Sequence, residues 1–103
     1  MMKIYNKLVR DKILKIIKKS GSPFKYHIAT DDTEYLTKLF EKLQEEIAEF
    51  KEKPSTEEFA DILEVMESIA KFHNYHLDHI KEVKAKKNLE RGSFDNRIIL
   101  EES

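Results

Sequence analysis

The sequence has no cysteine and only two glycines and two prolines. The lack of cysteine excludes a disulfide framework, a thiolate-ligated zinc site and a cysteine nucleophile. Sandwiches and barrels of short strands need many turns that contain glycine or proline, so the shortage of both favours helices. It also argues against a glycine-rich phosphate loop and against the strained turn that exposes a nucleophilic serine.

Neither sign of charge dominates, and long apolar runs are missing. Lys and Arg number 19 and Asp and Glu number 20, which gives a net charge of −1. With no overall positive field, we expect neither nucleic acid nor a membrane surface as a partner. The longest apolar run is residues 98–100, so we expect no transmembrane helix and no signal peptide, and a cytoplasmic protein.

The composition is that of one folded domain. Charged residues make up 38% and hydrophobic residues 40% of the 103 positions, a mixture that is too apolar for a disordered chain. A chain of this length has room for one hydrophobic core, so we expect a single domain over residues 1–103.

Apolar residues at three- and four-residue intervals predict four helices. These cover residues 6–19 with Asn6 as N-cap and Ser20-Gly21 as the stop, a long segment from Asp31-Asp32 to Lys53-Pro54, a third that begins at Ser55, and residues 77–91, which end at Gly92. The short interruption between the second and third helices predicts a hairpin. Large apolar side chains alternate with other residues over residues 24–30, which predicts a short strand or extended segment, with residues 97–101 as its candidate partner. The predicted fold class is all-α, an antiparallel bundle of about four helices with a possible short two-stranded β element.

Two pairs of carboxylates flank the predicted hairpin turn. Glu46 and Glu49 lie three residues apart late in the second helix, and Glu58 and Asp61 have the same spacing early in the third. This spacing places both members of a pair on one helix face, at the border of the apolar stripe. Four converging carboxylates repel one another unless a cation intervenes, and oxygen ligands suit Mg²⁺ or Mn²⁺. The pattern therefore indicates a site for phosphate chemistry.

Each pair also has a simpler explanation. Glutamate is a strong helix former, and charge runs on helices are usually solvated. Glu58 also has the spacing of a capping-box partner of Ser55. Two pairs on hairpinned helices, both beside an apolar face, are harder to explain in this way.

The apolar face of the fourth helix turns basic along its length. It begins with Leu77 and Ile80 and continues with polar side chains at Lys84, Lys87, Asn88 and Arg91. A cationic extension of an inward face needs an anionic partner, either the acidic cluster or a polyphosphate. The alternative is that these side chains lie over the edge of the core beside the helix C-terminus. Lys7 and Arg10 form a further basic element.

Three histidines, His73, His76 and His79, are spaced three residues apart. They lie where a helix is expected to break, so the spacing does not hold their side chains together. We interpret them as exposed or core-edge residues rather than as metal ligands.

The carboxylate motif, Glu-Glu-x-x-Glu followed by Glu-x-x-Asp on successive helices, resembles that of the MazG-type all-α nucleoside triphosphate pyrophosphohydrolases. Residues 5–13, Tyr-Asn-Lys-Leu-Val-Arg-Asp-Lys-Ile, and residues 87–94, Lys-Asn-Leu-Glu-Arg-Gly-Ser-Phe, are similar to the ends of small single-domain MazG-like proteins related to phosphoribosyl-ATP pyrophosphohydrolase. Leu14 and Ser93 depart from the residues that such proteins often carry, proline and glycine. The gap between the two carboxylate motifs is shorter than in larger MazG proteins.

This resemblance implies Mg²⁺-dependent cleavage between the α- and β-phosphates of a nucleoside triphosphate. It implies metal ligands at Glu46, Glu49, Glu58 and Asp61, and a water-orienting or basic role for Glu45. Phosphate or nucleotide contacts would come from Lys84, Lys87, Asn88 and Arg91, with Lys7 and Arg10 as further candidates. It also implies a homodimer or homotetramer. Two alternatives stay open: an enzyme acting on phosphoribosyl-ATP, and a non-catalytic helical interaction module.

Overall fold

A computed structural model describes residues 3–103, which contain four helices. These are α1 (Ile13–Ser20), α2 (Asp32–Glu52), α3 (Thr56–Phe72) and α4 (Leu77–Arg91). The all-α prediction is confirmed, and α2, α3 and α4 lie where the periodicity placed them. No helix among these residues is long and apolar enough to cross a bilayer.

The α2–α3 hairpin begins and ends at side-chain caps. Asp31 is the N-cap of α2, and its carboxylate accepts a 2.8 Å hydrogen bond from the Glu34 backbone N–H. Ser55 is the N-cap of α3, and its hydroxyl accepts a 3.1 Å bond from the Glu58 N–H. Both caps have the extended backbone that this position requires. Only three residues separate the two helices, so they pack antiparallel.

The core of the hairpin is thin. Leu39, Val65 and Ala70 are its buried apolar residues, and only Leu39 is completely buried. The Phe50 and Phe59 rings meet edge to face at 5.6 Å near the turn. The described chain measures 55 × 31 × 25 Å, an elongated shape that leaves much apolar surface exposed.

The first helix begins later than predicted, at Ile13 instead of Asn6. Asn6 has φ of 46°, a left-handed conformation, whereas an N-cap needs extended backbone. Its carbonyl accepts a 2.7 Å hydrogen bond from Lys38 Nζ on α2, so this part of the chain is held against the hairpin instead of forming a helix. The predicted stop is confirmed, since Gly21 has φ of 78° and caps the helix.

The prediction of a two-stranded β element is wrong, because the described chain has no strand at residues 24–30 or 97–101. Phe24 and Tyr26 do place their rings on one side, 6.1 Å apart, as an extended segment would. A strand also needs a partner chain about 4.8 Å away. Arg97, with φ of 58°, turns the chain, and Ile98 and Leu100 remain exposed to solvent.

Helix α4 does not pack against the hairpin along its length. Every residue from Leu77 to Arg91 is exposed, and Leu89 is 89% exposed. The expectation that its basic face lies opposite the acidic hairpin is therefore not met within one chain. Beyond its first turns, lysine and arginine replace the apolar side chains that could have extended the packing.

Candidate metal centre and adjoining groove

Three carboxylates converge beside the hairpin turn. Glu46 of α2 and Glu58 and Asp61 of α3 each offer an oxygen that lies within 4.8 Å of the other two. Glu58 and Asp61 are one turn apart, and the antiparallel packing brings Glu46 across from them. We call these three residues the acidic trio. The structure thus brings together three of the four carboxylates for which the sequence predicts metal ligation.

Glu46 is the most buried polar side chain described. It is only 5% exposed, because it lies about 20° from Leu39 around the axis of α2. Its Oε2 atom and the Oε2 atom of Glu58 are buried without a hydrogen-bond partner. Burial raises the pKa of Glu46, and the charges of Glu49 and Asp61 raise it further, while Lys42 at 3.1 Å opposes them.

Two buried, unpartnered carboxylate oxygens beside a third carboxylate are unfavourable unless a cation or a proton satisfies them. Hard divalent cations prefer such oxygen ligands, and they commonly keep some positions for water and phosphate oxygens. The residues present could therefore hold a hard cation through their oxygen atoms.

Glu49 lies outside the acidic trio and is exposed. Its charge nevertheless acts on the trio through the pKa of Glu46. The Glu58 backbone N–H donates to the Ser55 cap of α3, while the Glu58 side chain belongs to the trio. The cap therefore uses the backbone of Glu58 and leaves its carboxylate for the cluster.

Glu45 is held by two lysines. Lys7 Nζ lies 2.8 Å and Lys42 Nζ 3.5 Å from its Oε1 atom. The hydrogen bond from Lys7 lowers the pKa of Glu45, and the same bond raises the pKa of Lys7. Glu45 is therefore a charged acceptor beside the trio. Lys42, which the sequence patterns did not single out, bridges Glu45 and Glu46.

The N-terminal segment places a guanidinium on the trio. Arg10 Nη2 lies 2.7 Å from Asp61 Oδ1, although 51 residues separate them in the chain. Arg10 is half-exposed, so it can pair with Asp61 or turn toward another anion. Lys7 and Arg10 are thus the predicted substrate contacts that the structure brings to the acidic residues.

The substrate contacts predicted on α4 do not lie near the acidic trio. They are Lys84, Lys87, Asn88 and Arg91, all exposed, and none of them forms an ion pair with the trio in the described chain. The three histidines contribute no ligand to the described carboxylate cluster. His73 instead stacks on Tyr75, with ring centroids 5.3 Å apart.

A groove of about 910 Å³ runs along the hairpin from Glu46 and Asp61 of the acidic trio, and Glu64 and Glu67 also line it. Leu39 and Val65 form part of its lining between the helices. One end has Arg10, Lys42, Glu46 and Asp61, and the other has Tyr35, Phe72 and Tyr75, with residues 8–11 and 74–77 at its rim. Sequence reasoning missed the three aromatic residues. The signal was present, since Tyr35 precedes Glu46 and Phe72 follows Asp61 by 11 residues, about three helical turns.

Searches with protein-family models, among curated proteins and among solved structures give no match to this chain.

Proposed function

We propose that the protein is a Mg²⁺-dependent nucleoside triphosphate pyrophosphohydrolase, which cleaves the α–β anhydride to give a nucleoside monophosphate and pyrophosphate. The observation that carries the proposal is the buried, unpartnered Oε2 atom of Glu46 beside Glu58 and Asp61, at one end of a large groove. The resemblance of the carboxylate motifs to those of MazG-type enzymes supports the same reaction.

Glu46, Glu58 and Asp61 would hold the cation, and Glu49 is close enough to influence it through charge. A divalent cation at this position supplies neutralisation of the phosphates and activation of water, the usual contributions of Mg²⁺ to phosphoryl chemistry. Manganese, which accepts the same oxygen ligands, is an alternative ion.

The chain's own cations would position the phosphates. Arg10 presents planar donors that match phosphate oxygens, and Lys42 is within 3.1 Å of Glu46. Both line the groove beside the trio. Lys7 would join them by releasing Glu45. These residues stabilise the charge that moves onto the departing pyrophosphate.

Glu45 would orient the attacking water. Its lowered pKa keeps the carboxylate ionised, so it accepts a hydrogen bond at neutral pH. In the reaction, the water oxygen bonds to one phosphorus of the anhydride and the bridging P–O bond breaks. The proton of the water leaves through the acceptor that holds it.

The first experiment measures pyrophosphate release from a panel of ordinary and modified nucleoside triphosphates, with and without Mg²⁺, for the natural protein and Glu46→Ala. We expect metal-dependent pyrophosphate that the variant does not form. The panel includes phosphoribosyl-ATP, whose selective cleavage would identify a biosynthetic enzyme. No release together with no Mg²⁺ binding by calorimetry would contradict the proposal and favour a non-catalytic interaction module.

We also propose that two copies of the chain associate through the hairpin face opposite the groove. Phe40 and Ile47 of α2 and Phe59 and Met66 of α3 are 41–57% exposed. At about 100° per residue, these side chains lie on the flank away from Glu46 and Asp61. A continuous apolar flank on so thin a core is typical of an interface. The expected assembly is a homodimer, or a homotetramer built from dimers.

Sedimentation tests the association. Ile47→Glu places a charge within the proposed interface, and Ala85→Glu adds the same charge at an exposed position of α4, away from the hairpin. We expect the natural protein and Ala85→Glu to sediment as oligomers and Ile47→Glu to dissociate. A natural protein that sediments as a stable monomer would refute the assembly.

A further inference from the structure

Two segments of the chain expose backbone groups that have no backbone partner. They are residues 24–29, between α1 and α2, and residues 98–101, after α4, and both lie outside the helices. Among the described residues, neither segment makes a backbone–backbone hydrogen bond. A row of unpaired N–H and C=O groups is a template on which another strand can pair.

Both segments also expose apolar side chains at alternate positions. Phe24 and Tyr26 place their rings on one side, 6.1 Å apart, as next-nearest residues of an extended chain do. Tyr26 is 59% and Ile28 78% exposed, and Ile98 and Leu100 are 80% and 77% exposed. Residues two apart share one side of a strand, so each segment presents an apolar side that is open to solvent.

Helix α4 separates the two segments within one chain. It begins near the start of α2, because the Tyr35 and Phe72 rings meet at 5.9 Å where α3 ends. Its 15 residues span about 22 Å, and they do not pack along the hairpin. Residues 24–29 stay beside the start of α2, where the Thr30 N–H donates a 2.8 Å hydrogen bond to Glu34. Helix α4 therefore carries the last segment away from them.

One antiparallel register would join the two apolar sides. It sets Tyr26 opposite Leu100 and Ile28 opposite Ile98. Cross-strand pairs of aromatic and aliphatic side chains stabilise a ladder. A shift by one residue would turn one of the two apolar sides away from the other, so the side chains specify this register.

The charges favour the same antiparallel register. Lys25 would lie opposite Glu101, and Arg97 would lie diagonally across from Asp31. A parallel arrangement would instead bring Arg97 beside Lys25. Opposite charges across a ladder stabilise it and like charges destabilise it.

We infer that residues 24–30 of one copy of the chain form a β-ladder with residues 97–101 of a second copy. A second copy is the partner because both complementary segments belong to this chain and do not meet within it. Two-fold symmetry then gives two identical ladders in a dimer. The ladder lies between chains, unlike the β element that the sequence predicted within one chain. It adds a backbone contact to the proposed association and does not depend on the proposed activity.

Disulfide formation between separate proteins tests the ladder, and the chain has no cysteine of its own to interfere. Lys25→Cys and Glu101→Cys are prepared separately, mixed in equal amounts and oxidised. Directly opposite residues in an antiparallel pair have Cα atoms about 4.5–5.5 Å apart, which a disulfide can bridge. Glu102→Cys replaces Glu101→Cys in the matched control, because neighbouring residues of a strand point to opposite sides. All three positions are exposed, so the variants should fold normally.

We expect a mixed disulfide between the Lys25→Cys and Glu101→Cys chains and little with Glu102→Cys. Sedimentation gives a second readout without cysteine. Lys25→Glu should weaken the dimer by roughly 2- to 30-fold, the effect of one cross-strand charge pair in each of two ladders. The double variant Lys25→Glu/Glu101→Lys restores opposite charges and should recover the affinity of the natural protein.

Three results would overturn the inference. The first is no mixed disulfide between the Lys25→Cys and Glu101→Cys chains, and the second is an equal yield with Glu102→Cys. The third is a Lys25→Cys/Glu101→Cys double variant whose disulfide forms only within one chain. A natural protein that sediments as a dimer but gives any of these results would keep the proposed hairpin contact and lose only the ladder. Pyrophosphate release, which tests the proposed activity, is independent of all three.

Discussion

Replacing Glu46 with glutamine should stabilise the protein in the absence of metal and destabilise it, relative to the natural protein, in the presence of metal. The carboxylate is 5% exposed, and its Oε2 atom has no partner. An unsatisfied buried polar group costs about 1–3 kcal/mol. The glutamine amide can instead donate a hydrogen bond to the neighbouring Glu58 or Asp61, so Glu46→Gln removes most of this cost.

The gain is reduced by the loss of the ion pair with Lys42, 3.1 Å from Glu46. Lys42 keeps Glu45 as a partner at 3.5 Å, and the glutamine oxygen can still accept a hydrogen bond from it, so the loss is about 0.5–1.5 kcal/mol, the net contribution of one hydrogen bond. The net stabilisation is then about 1 kcal/mol, which corresponds to a Tm increase of about 4–8 °C for a domain of this size. The raised pKa of Glu46 agrees with this direction, because ionising the buried carboxylate costs stability. The metal-free natural protein should therefore lose stability as pH rises through that pKa, and Glu46→Gln should not.

Magnesium should reverse this order of stability, so that the natural protein is more stable than Glu46→Gln. At about 100 times its dissociation constant, a ligand that binds only the folded state adds about 2.7 kcal/mol. The natural protein receives this stabilisation, and Glu46→Gln, which lacks one ligand charge, receives far less. The assay is thermal unfolding in EDTA and in Mg²⁺, with Glu90→Gln on exposed α4 as the control. A Glu46→Gln protein less stable than the natural protein in EDTA, or stabilised equally by Mg²⁺, would refute the reasoning.

Three further substitutions test the surroundings of the site. Arg10→Ala should tighten Mg²⁺ binding in the absence of nucleotide, by up to about fivefold, because the guanidinium 2.7 Å from Asp61 competes with the cation; weaker binding in calorimetry would contradict this. Glu34→Gln should lower the urea midpoint at pH 7. The Thr30 N–H lowers the pKa of Glu34, so its stabilisation exists above the unfolded-state pKa and disappears as pH falls through the folded-state pKa, and an equal deficit in acid would contradict that origin. Ser55→Ala should cost about 1 kcal/mol, or about 4–8 °C in Tm, by removing the cap of α3, and an unchanged Tm would show that the cap is not stabilising.

The sequence was sufficient to predict the features that depend on neighbouring residues along the chain. Helical periodicity located α2, α3 and α4, and the caps at Asp31 and Ser55 follow from side chains that compete for backbone N–H groups within one turn. The convergence of Glu46, Glu58 and Asp61 follows from a short turn between two amphipathic helices, which leaves little freedom in how their faces meet.

Features that depend on contacts between distant segments could not be predicted from the sequence in the same way. Helical periodicity in residues 6–19 favoured an earlier start for α1, but the contacts of Asn6 and Arg10 with the hairpin hold that segment in a non-helical conformation. Alternation in residues 24–30 reports extended backbone and carries no information about whether a partner strand is adjacent. The basic face of α4 shows a need for an anion without showing which surface or molecule supplies it.

The role of the acidic trio is tested most directly by calorimetric titration of Mg²⁺ into the natural protein and Asp61→Asn, with circular dichroism to verify that both are folded. Asp61 is half-exposed, and asparagine keeps its shape, so we expect a normal helical spectrum. We predict saturable Mg²⁺ binding by the natural protein and loss of that binding in Asp61→Asn. Unchanged Mg²⁺ affinity in the variant would remove Asp61 from the site and contradict the assignment of the trio as the metal centre.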